Sequence, residues 1–366
     1  MHVAGISTFS TKELNFFFHS HRAKVDGKIV SHLVQFIRRA KHTLDVAIYD
    51  MKNKDILNAL KKMSSKVQLT ILYDGGTGSK VRAGSTTVDP KIATAKAIID
   101  AGLKKSAHPI HDKGKHLMHD KFLVRDGTSV WTGSGNFTKG GLLLQDNNYV
   151  TIDSPAVASA YAKAFGELRG PGHSASHTTG IPAAPAKIKV GNVKISVLFS
   201  TQFTEAEGVE TEVRKRLKGA KKVRIMAMLI SDPGILDSLF ALKNIDIKGV
   251  LDPHMMKNVM KPPKGKSKLD PKLFWFANGD KRFVAAPSHA FVKSDNNNFM
   301  HNKVMIIDDK VVITGSYNFS ENAELNDENM MIIESGAVAR AYTKYFDALF
   351  KVYQKTGPKL PLPRSA

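Results

Sequence analysis

The chain has 366 residues, of which 42% are hydrophobic and 8% aromatic, so it can bury a sizeable core and global disorder is not expected. Its 54 lysines and arginines outnumber 33 acidic residues, and the net charge of +21 favours polyanionic partners such as nucleic acid, an anionic membrane surface or phosphorylated small molecules. The absence of cysteine excludes disulfides, thiolate metal sites and cysteine nucleophiles.

The N-terminal residues contain neither a basic region nor the long apolar run of an export signal. No stretch approaches the roughly 20 apolar residues that a membrane-spanning helix needs. The chain as given is therefore expected to be cytoplasmic. It would be secreted or periplasmic if a signal had been removed.

The first half alternates helical and strand patterns. An amphipathic helix is predicted over Ile29–Ala40, followed by short apolar runs at Leu44–Asp50 and Val67–Tyr73 that are typical of buried strands. A helix is predicted over Ala156–Leu168. This alternation predicts an α/β fold with a mixed sheet.

The second half repeats the same order after a segment, Arg169–Lys187, whose Gly, Pro, Ser and Ala are typical of a linker. We therefore predict an N-terminal lobe at 1–168, a linker at 169–187 and a C-terminal lobe at 188–366. The predicted elements of the second lobe are a helix at Val209–Ala220, strands at Val223–Leu229 and Ile245–Leu251, and a helix at Ala337–Tyr353.

An internal repeat carries the chemistry. Leu117–Ile152 and Phe299–Ile333 match without a gap, and each second-copy position lies 182 residues after its counterpart. The matched positions are His119 and His301, Lys121 and Lys303, Asp126 and Asp308, Gly133 and Gly315, Ser134 and Ser316, Asn136 and Asn318, and Asp146 and Glu328.

These residue types suit phosphoryl transfer. Residues two apart in an extended segment share one face, so His119 lies beside Lys121, and His301 beside Lys303. Lysines and side-chain donors can stabilise the negative oxygens of a phosphate. Neutral imidazole is a nucleophile and imidazolium a general acid, so two histidines on opposite sides of one phosphate can divide these tasks without a metal or other cofactor.

The paired His-x-Lys-x4-Asp and Gly-Ser-x-Asn patterns resemble the signature of the phospholipase D (PLD) superfamily. The resemblance implies two similar mixed-sheet α/β lobes in a pseudo-twofold arrangement, with one active site between them. It also implies a phosphohistidine intermediate, with His119 as nucleophile and His301 as general acid. One chain carries both copies and is sufficient for the site, which leaves a dimer open.

The resemblance also implies roles for the other matched residues. The catalytic residues would be His119, His301, Lys121, Lys303, Asp146 and Glu328, with a downstream carboxylate orienting each histidine. The phosphate ligands would be Lys121, Lys303, Ser134, Ser316, Asn136 and Asn318. Asp126 and Asp308 would be structural supports.

Two other patterns near the first copy are weaker candidates. His111-Asp112-Lys113 is also His-x-Lys, but no aspartate follows at the right spacing, and a basic approach loop is the favoured interpretation. The four histidines His108, His111, His116 and His119 could suggest zinc, but Lys113 and Lys115 between them would repel a cation. We therefore predict no metal site.

The motif fixes the bond type better than the substrate. The charge and the lysine-rich segment Lys257–Lys272 favour a nuclease acting on DNA or RNA. The alternative is a phospholipase D that hydrolyses or transfers phospholipid head groups, for which Phe16–Phe18 and Phe274–Phe276 could contact lipid. The pattern at Phe274–Phe276 is equally typical of core residues and of a stacking or lipid-contacting platform. A catalytically silent nucleic-acid-binding protein is the least favoured reading, because both copies are complete.

Overall fold

The computed structural model describes residues 6–76, 90–111, 117–170, 186–200, 208–261, 271–273, 276, 282–292 and 296–361. Within these residues, two eight-stranded mixed sheets carry helices and form two similar lobes, which confirms the predicted fold class. Most of the predicted linker, 171–185, lies outside the described residues, as do Asp112–His116 and residues 262–270 of the lysine-rich segment.

The first sheet has the strand order β1-β2-β8-β7-β6-β3-β4-β5, in which β3, β4 and β5 are parallel and the other neighbours antiparallel. Its strands are β1 Thr8–Ser10, β2 Leu14–His19, β3 Thr43–Ile48, β4 Gln68–Asp74, β5 Ala107–Ile110, β6 Lys121–Arg125, β7 Ser129–Gly133 and β8 Asn147–Asp153. The helices of this half are α1 Ile29–Arg38, α2 Lys54–Met63, α3 Pro90–Asp100 and α4 Pro155–Arg169.

The second sheet repeats this order strand for strand, as β9-β10-β16-β15-β14-β11-β12-β13. Its strands are β9 Ala186–Val190, β10 Val193–Phe199, β11 Lys222–Ala227, β12 Asp246–Leu251, β13 Phe283–Ala285, β14 Lys303–Ile307, β15 Val311–Gly315 and β16 Asn329–Glu334. The helices of this half are α5 Val209–Leu217, α6 Pro233–Phe240, α7 Pro253–Val259 and α8 Gly336–Thr356.

A single buried cluster joins the two halves. Phe18 of β2 packs against Tyr345 and Tyr342 of α8, with ring centroids 4.9 and 4.8 Å apart. Phe122 of β6 lies 6.4 Å from Phe199 of β10. Large aromatic side chains bury much apolar area, so these contacts stabilise the lobes against each other as well as within themselves.

Two aromatic runs that were proposed as lipid contacts are placed differently. The side chains of Phe16, Phe17 and Phe18 are buried in β2, at 0%, 6% and 1% exposure. Phe276 is also buried and packs on Phe283, whereas residues 274–275 lie outside the described part of the chain. Phe16–Phe18 and Phe276 are therefore core residues, and the prediction that they touch lipid is wrong.

Candidate active site

The signature histidines lie on extended segments that run into β6 and β14, and each segment pairs with the opposite half of the chain. The His119 N–H donates to the Asp327 carbonyl at 2.9 Å, and the His301 N–H donates to the Asp146 carbonyl at 3.0 Å. Because each lobe holds the histidine segment of the other, both motif copies meet at the junction between the lobes.

Buried aspartates at the ends of parallel strands fix the residues before the histidines. Asp74 at the end of β4 accepts the Met118 N–H at 3.1 Å, and Asp252 after β12 accepts the Met300 N–H at 3.2 Å. Both carboxylates are fully buried. Neither aspartate is predicted from the sequence, although an aspartate directly after a buried strand in both halves is a usable signal.

The two histidines and two lysines occupy one buried space. His119 and His301 are 8% and 6% exposed, and Lys121 and Lys303 are 1% exposed. Burial, followed by the positive charges of both lysines, lowers the pKa of each histidine well below its usual value. Burial also lowers the pKa of Lys121 to about 8 and that of Lys303 well below its usual range. Both lysines thus lie close enough to each histidine to lower its pKa, as expected for a single shared site.

Glu328 of the second half holds the histidine of the first. Its two carboxylate oxygens lie 2.7 and 2.8 Å from His119 Nδ1, and the side chain is buried. Burial raises the pKa of Glu328 to about 8, although Lys121 and Lys303 oppose that shift. With Nδ1 engaged by the carboxylate, Nε2 is the ring nitrogen available for chemistry.

The offset of 182 residues between matched positions of the two halves does not hold as far as β8 and β16, the last strand of each half along the chain. Gly133 of β7 pairs with Tyr149 of β8, whereas Gly315 of β15 pairs with Met330 of β16. The glycines are 182 positions apart but their partners only 181. The first half therefore contains one more residue between these two strands.

The extra residue lies between Thr138 and Gln145, where six residues, including the π-helix Gly140–Leu144, correspond to the five of a 3₁₀-helix, Glu321–Leu325, in the second half. A π turn contains more residues than a 3₁₀ turn, so it absorbs the insertion. The structural counterpart of Glu328 is consequently Asn147. The equivalence of Asp146 with Glu328, predicted from the ungapped repeat, is corrected by one position.

This shift changes the partner of the second histidine. His301 Nδ1 lies 3.1 Å from Asn147 Oδ1. The Asp146 carboxylate instead accepts the Tyr353 hydroxyl at 2.9 Å and pairs with Arg22. The prediction that Asp146 orients a histidine is therefore wrong, because its carboxylate joins the N-terminal segment to α8.

The two signature serines are held inside the protein. Ser134 donates its hydroxyl to Asn147 Oδ1 at 2.6 Å, and Ser316 Oγ accepts the Asn329 N–H at 2.9 Å. Both side chains are fully buried. These hydroxyls position the asparagines, and their predicted contact with phosphate stays a prediction.

Asn136 and Asn318 are the remaining predicted phosphate ligands, and Tyr49 lies beside His119. Asn136 and Asn318 are partly buried, and the structure assigns no hydrogen-bond partner to the buried Oδ1 of either one. Their role as phosphate ligands stays a prediction. Tyr49, which the sequence analysis did not single out, packs its ring 4.9 Å from that of His119, and Lys121 Nζ lies 5.3 Å from its centroid.

Asp126 and Asp308 support turns. Both adopt positive φ angles, 53° and 52°, at the tight turns that follow β6 and β14. Asp126 Oδ1 accepts N–H groups of 41–43, and Asp308 accepts those of Lys221 and Lys222 at 2.8 Å. This geometry agrees with the predicted structural role.

The described residues give little support to a role for the second His-x-Lys pattern or to a metal site. His111 Nδ1 lies 3.2 Å from the Gly76 carbonyl, and its motif partner Lys113 lies outside the described residues. The described residues contain no group of three or more His, Cys, Asp or Glu side chains placed to hold a metal ion. Among the helices described, none is both long and apolar enough to cross a membrane.

The family comparison covers both motif copies. A family model described as "Cardiolipin synthase, PLD-like domain" matches residues 33–169 and 213–350, which together exceed half of the chain. The chain belongs to the phospholipase D superfamily. The repeated match agrees with the two lobes and with the paired signature that meets between them.

Individual relatives in this superfamily are distant. Cardiolipin synthase 1 of Staphylococcus aureus (strain COL) is 22% identical over 329 residues, covering 84% of this chain and 64% of that protein. Mitochondrial cardiolipin hydrolase of Xenopus tropicalis is 34% identical over 139 residues, covering 38% of this chain and 60% of that protein. The chain thus spans less than two thirds of the length of these curated relatives.

A solved structure supports the two-lobed PLD fold over nearly the whole chain. The phosphatidylserine synthase of Haemophilus influenzae Rd KW20 superposes with a TM-score of 0.65 at 12% identity. The match covers 96% of this chain and 90% of that one. At such low identity, the match is evidence for the fold alone.

Proposed function

We propose that this PLD superfamily member breaks a phosphodiester bond of a phospholipid through a covalent phosphohistidine, and passes the phosphoryl group to water or an alcohol. The observation that carries the proposal is the convergence of both motif copies in one buried site. There His119 and His301 lie with Lys121 and Lys303, and Glu328 holds His119.

The proposed reaction has two balanced steps. In the first, Nε2 of His119 attacks phosphorus, the bond to the leaving oxygen breaks, and His301 donates its Nε2 proton to that oxygen. In the second, His301 takes a proton from water or an alcohol, whose oxygen attacks phosphorus while the N–P bond to His119 breaks. Lys121 and Lys303 would stabilise the charge on the non-bridging oxygens in both steps.

The relatives favour a lipid over a nucleic acid. Those with curated names include a cardiolipin synthase and a cardiolipin hydrolase. The net charge of +21 suits anionic lipid as well as nucleic acid, so it does not separate the two. The nuclease that the sequence analysis preferred therefore becomes the second candidate, supported by charge alone.

The test compares substrates under one buffer condition. The purified chain is incubated with cardiolipin or phosphatidylglycerol vesicles, plasmid DNA and RNA, all in excess EDTA. We expect phospholipid turnover, measured by release or exchange of the alcohol group, and no comparable cleavage of nucleic acid. His119→Ala and His301→Ala should each lower the rate by at least about 10³-fold.

The controls separate the candidates. Circular dichroism of both variants establishes that they remain folded. Rapid cleavage of DNA or RNA with intact vesicles would replace the lipid proposal by the nuclease. Loss of all activity in EDTA, with recovery on adding Mg²⁺ or Zn²⁺, would contradict the metal-independent chemistry.

A further inference from the structure

Building on the proposed phosphodiester chemistry, we propose that Asn147 is a positioning residue that fixes His301 as the proton donor and leaves nucleophilic attack to His119. The two histidines have partners of different charge, although their sequence motifs are the same. Glu328 presents a carboxylate to His119, and Asn147 presents an amide oxygen to His301.

The orientation of the Asn147 amide is fixed by its surroundings. The side chain is fully buried, and its NH2 group donates to the Gly141 carbonyl at 2.9 Å. Oδ1 therefore faces His301 and accepts the Ser134 hydroxyl as well. Because an amide oxygen only accepts, His301 must donate Nδ1–H to it, and Nε2 points to the reacting group.

The π-helix selects an amide at this position. The Gly141 carbonyl belongs to that helix and would face a carboxylate oxygen if residue 147 were acidic, which is repulsive. The second half has a donor in the corresponding region, because the Asn326 NH2 lies 3.4 Å from Glu328 Oε1. Each half is thus built for a different partner of its opposite histidine.

The difference in charge matches the two chemical roles. Attack by His119 makes a phosphorylated imidazolium, whose positive charge favours the ionised form of Glu328 although burial raises the pKa of that group in the free protein. The Glu328 carboxylate then stabilises the cation through a charge-assisted hydrogen bond. The proton donor must release its proton in the first step. A carboxylate beside His301 would hold the imidazolium charged and oppose that release, whereas Asn147 does not.

The groups around His301 also lower its pKa, which favours release of its proton. Lys303, Lys121 and His119 all lie close enough to lower its pKa, after burial itself, and the Ser134 backbone opposes them weakly. The negative phosphodiester would offset these charges when it binds, so the substrate itself favours the protonated form of His301. His301 is then charged when the leaving oxygen needs a proton.

The test uses two diesters that differ in their need for a proton. The nitrophenolate of bis(4-nitrophenyl) phosphate leaves without protonation, whereas the alcohol of phosphatidylglycerol requires a general acid. We expect Asn147→Leu to lower kcat on phosphatidylglycerol by about 100-fold and on the aryl diester by less than about 5-fold. His119→Ala should lower both by at least about 10³-fold.

Asn147→Asp supplies a second variant if Asn147→Leu folds poorly. A carboxylate beside His301 raises the pKa of its imidazolium, so the limb of the kcat/KM profile that reports loss of the His301 proton should move up by about one pH unit. The decline that begins at about pH 8 through Lys121 should stay where it is. The matched comparison is Asp146→Asn, which changes the neighbouring carboxylate and leaves the contact to His301 intact. Its pH profile should keep the wild-type shape.

A measurement independent of activity accompanies these rates. The ¹⁵N signals of the His301 imidazole should report a proton on Nδ1 in the wild type, and that preference should weaken in Asn147→Leu. An unprotonated Nδ1 in the wild type, equal losses on both diesters in Asn147→Leu, or a shift caused by Asp146→Asn alone would overturn the role of Asn147. A wild type that cleaves neither diester would instead overturn the proposed function.

Discussion

At the scale of single residues, the proposed mechanism predicts that Glu328 is the carboxylate whose loss slows the cleavage step most. Glu328→Gln keeps the size of the side chain and removes the charge that would stabilise the phosphohistidine cation. We expect kcat to fall by about 10²- to 10³-fold with little change in KM, measured by steady-state kinetics. Glu324→Gln is the matched control, because Glu324 is a partly buried glutamate near the same strand and contacts Tyr317 rather than a histidine. Full kcat in Glu328→Gln would contradict this role.

Lys121 makes the site sensitive to alkaline pH. Burial lowers its pKa to about 8, although Glu328 and Asp120 oppose the shift, so the free protein loses this ammonium charge as pH rises through about 8. We expect kcat/KM to decline above that pH and kcat to decline only at higher pH, because the bound phosphate favours the charged lysine. Profiles measured between pH 6 and 10 test this. Constant kcat/KM up to pH 10 would contradict it.

At the scale of elements, the turn after β6 is fixed by one side chain. Asp126 combines a positive φ with hydrogen bonds to N–H groups at 41–43, and these bonds outweigh burial and lower its pKa. We expect Asp126→Ala to lower the free energy of unfolding by about 1–2 kcal/mol, because it loses these acceptors and tolerates positive φ poorly. Asp126→Asn should cost less. Urea unfolding measures both, and equal stabilities of all three proteins would contradict the support.

That stabilising contact is lost in acid. The folded-state pKa of Asp126 lies below its unfolded value, so the contribution is present above the unfolded pKa and disappears as pH falls through the folded one. The difference in stability between Asp126→Ala and the wild type should therefore narrow at low pH, to the part that the positive φ causes.

The sequence predicted the elements around the motifs well because their patterns are local. The helix predicted at Ile29–Ala40 is α1, and the strand predicted at Val67–Tyr73 is β4. The edge hairpins β1–β2 and β9–β10 were missed, although Leu14–His19 is a short apolar run. Their place in the sheets depends on pairing with distant strands, which local periodicity does not report.

The prediction of the site residues was also limited by what local sequence patterns report. An ungapped repeat identified both histidines and both lysines, but it could not reveal the extra residue between Thr138 and Gln145. A one-residue slip in a strand moves every following side chain to the other face. The sequence therefore paired Asp146 with Glu328, and the ladder of β7 and β8 was needed to assign Asn147.

At the scale of the whole molecule, two matching polar networks join the lobes. In one, the Asn329 NH2 donates to Asp120 Oδ1 at 2.7 Å. In the other, the Asn148 NH2 donates to Asn302 Oδ1 at 2.9 Å. All four side chains are buried, so each network must be satisfied internally. Asp120 of the first half thus corresponds to Asn302 of the second, so one network contains an acid where the other contains an amide.

This difference makes the stability of the whole molecule depend on pH. Burial raises the pKa of Asp120 to about 8, and the hydrogen bond from Asn329 only partly opposes it. A carboxyl group whose folded pKa is raised contributes stability at low pH and loses it as pH rises through the folded value. Asp120→Asn removes that loss, and Asn302 shows that the corresponding position accepts an amide.

We therefore expect Asp120→Asn to raise the free energy of unfolding by about 1–2 kcal/mol at pH 9 and by much less at pH 5. The reciprocal variant, Asn302→Asp, should lower it, and more strongly at pH 9, because it buries a second ionisable acid. Urea unfolding at the two pH values measures both effects. Shifts of equal size at pH 5 and pH 9 would mean that Asp120 does not titrate in the folded protein, and that the two networks differ in packing rather than in charge.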